Sequence, residues 1–230
     1  MIKNYQEYVN ESAGVELTQE QKKWLDKCTK GRWQFNPQTG EVDVQGDFYC
    51  NGQELDSFKG VRFGHVSEDF YCYSNKLTSL EGAPKSVGRD FLCYENNLTS
   101  LEGAPQSVGE DFLCYSNKLT SLEGAPQSVG GDFLCFRNSL TSLEGAPKIV
   151  GDEFEFYYNN LTSLKGYPEE IGKITSDPFF TPIWDQIGHL VNNMKNDEKN
   201  FFYKFVASQE TVDVESLERI ARSIERMRMI

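Results

Sequence analysis

The chain has 230 residues, 38% of them hydrophobic and 13% aromatic, with a net charge of −12; this is the make-up of a folded chain, not a disordered one. Residues 41–175 carry 21 acidic against 10 basic side chains, net −11, while 1–40 is +1 and 176–230 is −2. Such a field repels nucleic acid and anionic membrane and favours basic partners. No apolar run reaches membrane-spanning length, and "MIKNYQEYVNESAGVELTQEQ" lacks a signal-peptide core, so a cytoplasmic location is the expectation.

In residues 1–40, "LTQEQKKWLDKCTKG" predicts a helix. Thr18 and Gln21 form a capping box, Trp24, Leu25 and Cys28 form an apolar face, and Gly31 is the expected stop. "GRWQFNPQTGEVDV" predicts a short hairpin, with turn chemistry at Asn36-Pro37 and Thr39-Gly40. Together the helix and hairpin are expected to cap the repeats of residues 41–175.

Residues 41–175 repeat themselves about six times, with units of 21–22 residues. Anchoring on Phe48, Phe70, Phe91, Phe112, Phe133 and Phe154, the first spacing is 22 and the others 21. Two residues after each anchor stand Cys50, Cys72, Cys93, Cys114, Cys135 and finally Phe156. Asn75, Asn96, Asn117, Asn138 and Asn159 come next, with Gln53 in the first unit, and then two leucine columns. After the first, each unit returns through a proline, Pro84, Pro105, Pro126, Pro147 or Pro168, and the units close on Val66, Val87, Val108, Val129, Val150 and Ile171. "DFLCY" alternates, so Phe112 and Cys114 face inward while Asp111, Leu113 and Tyr115 face outward. One such strand cannot hide its apolar face; stacked units form a continuous core and a parallel sheet.

The pattern F-x-C-x-x-N-x-L-x-x-L resembles the leucine-rich repeat of the short bacterial type. The wording "LTSLEGAP" plus "VGGDF" resembles repeat proteins encoded by bacteriophages. The resemblance implies an α/β leucine-rich-repeat solenoid, here 41–175, between an N-terminal helix and hairpin cap and a C-terminal helical cap. It departs from the bacterial effector type in using Phe and Cys where Leu is usual, and Gly-Ala-Pro in the return.

The cysteine column reads as a buried small hydrophobe. The two histidines, His65 and His189, lie outside it, and inward same-facing positions suit neither metal nor disulfide. The expected asparagine ladder satisfies backbone groups where the chain leaves the strand. "EGAP" reads as an extended return, because proline cannot join a sheet interior. The extra residue of the first unit falls between Phe58 and Val66, outside the anchor strands.

Three outward columns form the candidate partner-binding face. The first is acidic: Asp69, Asp90, Asp111 and Asp132, extended by Asp47 and Glu153. Stacked carboxylates repel, so each is expected either to accept hydrogen bonds from the glycine turn before it or to await a partner's Lys or Arg. The second is Tyr71, Leu92, Leu113 and Leu134; the third is Tyr73, Tyr94, Tyr115, Phe136 and Tyr157. An exposed aromatic strip is typical of an interface centre. Beside it Ser74, Glu95, Ser116, Arg137 and Tyr158 vary within the fixed frame, which makes Arg137 and its neighbours candidates for specificity.

In 176–230, "TPIWDQIGHLVNNM", "NDEKNFFYKFVAS" and "DVESLERIARSIERMRM" predict helices. The last places Leu217, Ile220, Ile224 and Met227 on one face and Arg219, Arg222 and Arg226 outside it. They read as a cap, or as a partner-binding element using aromatics such as Phe201 and Phe202.

The sequence holds no phosphate-binding glycine loop, no nucleophile–base pair at informative spacing and no metal motif, so no enzyme, cofactor or metal is expected. The leading expectation is a protein-binding solenoid. The phage resemblance implies an accessory protein acting on a host protein, such as a defence component, in the host cytoplasm. An acidic nucleic-acid mimic that occupies a basic host protein, and a structural or assembly component, are the alternatives.

Overall fold

The computed structural model describes residues 16–174, 191, 194–208 and 214–227. The first helix, α1 (Gln19–Cys28), opens on the predicted reciprocal cap: Thr18 Oγ1 accepts the Gln21 N–H at 3.2 Å, and Gln21 Oε1 accepts the Thr18 N–H at 2.8 Å. Two of the donors that every helix start leaves open are thereby satisfied. At Thr29 the backbone turns extended and enters β1 (Thr29–Asn36). Gly31 therefore does not stop the helix, contrary to the sequence reading. It lies in β1 opposite Gly46, where a Cβ would sit 2.0 Å from the Gln45 carbonyl oxygen. The predicted hairpin comes next, β1 pairing antiparallel with β2 (Glu41–Tyr49). Its turn is held by Asn36 Oδ1, which accepts the Gln38 N–H at 2.9 Å.

From β2 onward the chain is a parallel-sheet β-solenoid of about six turns. Each coil contributes two short strands, where the sequence reading expected one. The anchor ladder runs β2, β4 (Phe70–Tyr71), β6 (Phe91–Leu92), β8 (Phe112–Leu113), β10 (Phe133–Leu134) and β11 (Ile149–Glu155), with each Phe opposite the next. The second ladder runs β3 (Arg62–Val66), β5 (Ser86–Val87), β7 (Ser107–Val108), β9 (Ser128–Val129), β11 and β12 (Glu170–Ile174), with Val opposite Val and finally Ile171. Pro84, Pro105, Pro126 and Pro147 are buried just before these second strands, so the return is only partly irregular.

A glycine corner separates the two strands of a coil, which is why both Val and Phe can face the core without alternation. The corner glycines stack on one another. A Cβ on Gly109 would lie 2.0 Å from the Gly88 carbonyl oxygen, and one on Gly130 1.9 Å from that of Gly109. Only glycine permits this approach. The extra residue of the first unit is absorbed as an irregularity between β2 and β3, where Asp43 Oδ1 accepts the His65 N–H at 2.7 Å. The anchor ladder stays in register across it, Phe48 opposite Phe70.

The core is five inward columns, one each of Phe, Cys and Val and two of Leu, buried throughout the middle coils. Successive anchor rings lie 5.2–5.8 Å apart. Each fully buried Phe or Leu contributes roughly 1.5–3 kcal/mol, so the array is held chiefly by burial that no single coil achieves alone. At one end Trp24 meets Phe48 edge-on at 5.2 Å, and its indole N–H donates to Gln53 Oε1 at 3.1 Å. At the other, Phe156 is fully buried, and Tyr203 of α2 (Asn196–Ala207) lies 6.4 Å from it and 5.7 Å from Tyr167.

The last helix, α3 (Val214–Met227), buries Leu217 and Ile224, half-buries Ile220 and exposes Arg219, Arg222 and Arg226, as its spacing predicts; Ala221 is buried as well, and the Met227 side chain lies outside the described residues. Phe202 is a core residue, while Phe201 is 58% exposed, so only one of the two is free for a partner. The helix predicted over 181–194 lies outside the described residues except for Val191 and Met194, both buried. Among the described residues no helix is long and apolar enough to cross a membrane.

Candidate functional site

Each coil leaves its anchor strand through an asparagine that stitches it to the coil before. Asn96 Nδ2 donates to the Cys72 and Cys93 carbonyls at 3.0 and 3.1 Å, and its Oδ1 accepts the Leu77 N–H at 3.0 Å. Asn75, Asn117, Asn138 and Asn159 repeat the arrangement. This is the ladder the sequence predicts, and it locks the outward columns in register.

The acidic column is built into the backbone. Oδ1 of Asp69, Asp90, Asp111 and Asp132 accepts the backbone N–H of the acidic residue one coil later, at 3.2, 3.0, 2.8 and 2.8 Å. One oxygen of each carboxylate is thus satisfied, though not by the preceding glycine turn. Asp69 is buried and also accepts the Tyr71 hydroxyl at 3.0 Å. Burial raises the carboxyls of Asp90 and Asp132 above the usual aspartate range; neighbouring carboxylates add to the rise, and the backbone N–H opposes it. Arg89 reaches into this column, 3.1 Å from Glu110 and 4.0 Å from Asp69.

The aromatic column is a stack. Tyr73, Tyr94, Tyr115, Phe136 and Tyr157 succeed one another at 4.4–4.6 Å with interplanar angles of 6–9°. Every ring is half-buried because its faces are covered by its neighbours. Solvent meets ring edges and hydroxyls. Burial raises the phenols of Tyr94, Tyr115 and Tyr157 above the usual tyrosine value, and that of Tyr49 is pushed up to about 12. Tyr71 belongs to a second, shorter stack, 4.9 Å from Tyr49. Leu92, Leu113 and Leu134 lie half-buried between the acidic and aromatic columns. The acidic, Tyr71–leucine and aromatic residues singled out on this face therefore stand in three parallel columns, and Arg137 lies beside them.

Beside them lies a feature that alternation alone does not reveal. Ser74, Glu95, Ser116, Arg137 and Tyr158 all have φ of 52–54°, in the left-handed region that favours glycine. The first coil has Gly52 at the same place, φ 65°, which was the available signal. Ser74 donates to Glu95 Oε2 at 2.6 Å, and the Arg137 guanidinium lies 5.6 Å from the centre of the Tyr158 ring. Tyr158 is 51% exposed, one of four large hydrophobic side chains offered to solvent among the described residues. Non-glycine residues held in this region cluster at functional sites.

The inward cysteines Cys50, Cys72, Cys93, Cys114 and Cys135 are buried and unpaired, and burial raises their thiols well above the ordinary range. Among the described residues no three His, Cys, Asp or Glu side chains converge to hold a metal. No family model, no curated protein and no solved structure matches the chain.

Proposed function

We propose that the protein is a non-enzymatic binding solenoid of the leucine-rich-repeat type, with its terminal helices as caps and the outward face of the anchor strands as its binding surface. The carrying observation is the continuous aromatic stack beside the left-handed column. Together they present ring edges, hydroxyls and varied side chains on a frame fixed by the asparagine ladder. Wide, rigid, aromatic-rich surfaces make interface centres. The partner is a protein. The phage-type repeat wording supports an accessory role directed at a host protein. The acidic-decoy reading has less support, because carboxylates form only one of the three columns on this face and leucine and aromatic side chains form the other two.

A photo-crosslinking residue at Tyr115, compared with one at the exposed return residue Gln106, tests this reading in host extract. The reading expects a discrete protein adduct from Tyr115 and none from Gln106. Adducts from Gln106 alone would place binding on the opposite side.

A further inference from the structure

The face has a width that selects the shape of its occupant. Ring succeeds ring every 4.4–4.6 Å along the aromatic column. Contacts along one stripe of an α-helix come once per turn, about every 5.4 Å, so a helix of three turns lying along the column spans about four coils. An extended strand occupies only about 4.8 Å of width and covers a single column. A polyproline helix repeats every ~9.3 Å, close to two coils, but prolines dock in open aromatic-lined grooves, and these ring faces are covered by one another. The three columns stand two residues apart along each strand, about 13 Å across in all, close to the ~10–12 Å diameter of a helix with its side chains.

Charge fixes the rest. Asp90, Asp111 and Asp132 each use Oδ1 on a backbone N–H, and their Oδ2 atoms have no hydrogen-bond partner among the described residues. Leu92, Leu113 and Leu134 run alongside them, half-exposed. From this width and charge pattern we propose that the partner element is a basic amphipathic α-helix of about three turns or more. It lies along the columns with its apolar stripe on the Leu and Tyr edges and Lys or Arg over the aspartates. The proposal rests on the reading of this face as the binding surface and names the class of partner it takes.

The test titrates the full chain into a fluorescent 14-residue peptide with Lys along one flank and Leu along the next. A same-composition isomer interrupted by proline, and a Glu-for-Lys version, serve as controls. The helical Lys peptide is expected to bind, and to bind about tenfold more weakly to the D90N/D111N/D132N variant or at high salt. The proline-interrupted and Glu peptides are expected to bind at least about tenfold more weakly than the helical one. Equal binding of the proline-interrupted peptide would assign the face to an extended occupant and overturn the proposal. So would binding indifferent to the aspartate replacements. If the helical peptide fails while Tyr115 still crosslinks a partner, the helix is wrong and the face stands; if both fail, the face itself is wrong.

Discussion

Asp111 donates its backbone N–H to the carboxylate of Asp90, one coil earlier, at 3.0 Å, and the Asp111 carboxylate then accepts the N–H of Asp132 at 2.8 Å. The acidic column is therefore a structural chain of acceptors as well as an exposed charge. Asparagine at these positions keeps the acceptor oxygen and removes the like-charge repulsion. Because the folded-state carboxyls of Asp90 and Asp132 are raised, the stability they contribute is full below the unfolded value of about 3.9 and is lost as pH rises through the folded value. Urea melts across that range are expected to show D90N/D132N at least as stable as the wild type and less dependent on pH. A variant that is less stable at neutral pH would show that the charges themselves hold the column.

The asparagine ladder predicts an ordering of two replacements. Asn96→Ala strands the Leu77 N–H and is expected to cost about 2 kcal/mol. Asn96→Asp places a buried negative charge against the Cys72 and Cys93 carbonyls and is expected to cost more at neutral pH, with partial recovery in acid. Denaturant midpoints for the two variants at two pH values measure this.

Two glycines separate close approach from backbone conformation. Gly109→Ala drives a methyl into the Gly88 carbonyl and is expected to cost about 3 kcal/mol, the upper end of overpacking penalties. Gly52→Ala meets no atom within 4 Å and bears only the left-handed backbone, about 1 kcal/mol. Thermal melts of the pair should show that gap.

The thiols report on the integrity of the core. Cys93, Cys114 and Cys135 are fully buried with raised thiol values, so a thiol reagent should label them only as the solenoid opens. Their labelling rates should rise together with denaturant. Fast labelling of one coil under native conditions would divide the array into independent units.

Much of this architecture was legible before the structure. The fixed spacing of Phe, Cys, Asn and Leu gave the anchor strand, the inward cysteines and the asparagine ladder, because a repeat states each contact several times. The Val strand was not legible. Two inward residues separated by a glycine corner leave no alternation to read, and the stacking of Gly88, Gly109 and Gly130 appears only across coils. Gly31 misled because a glycine near a helix end usually marks a C-cap; here it serves a close strand pairing with Gly46. The outward columns came from period two. Their condition did not: the rings of Tyr94 and Tyr115 cover each other at 4.5 Å, and Ser116 sits in the left-handed region, relations set by the coil spacing and the turn.

The most direct measurement is the affinity of the captured partner for the Tyr94→Ala/Tyr115→Ala variant, with its folding checked by circular dichroism. Loss of the three ring contacts that Tyr94 and Tyr115 make should lower stability by about 1.5–4.5 kcal/mol, since each contributes roughly 0.5–1.5 kcal/mol beyond its buried area. The Phe, Cys and Leu core is untouched, so the solenoid should remain folded. Binding should weaken by about 2 kcal/mol or more, roughly thirtyfold. A folded double variant that binds its partner at full strength would contradict the assignment of this face.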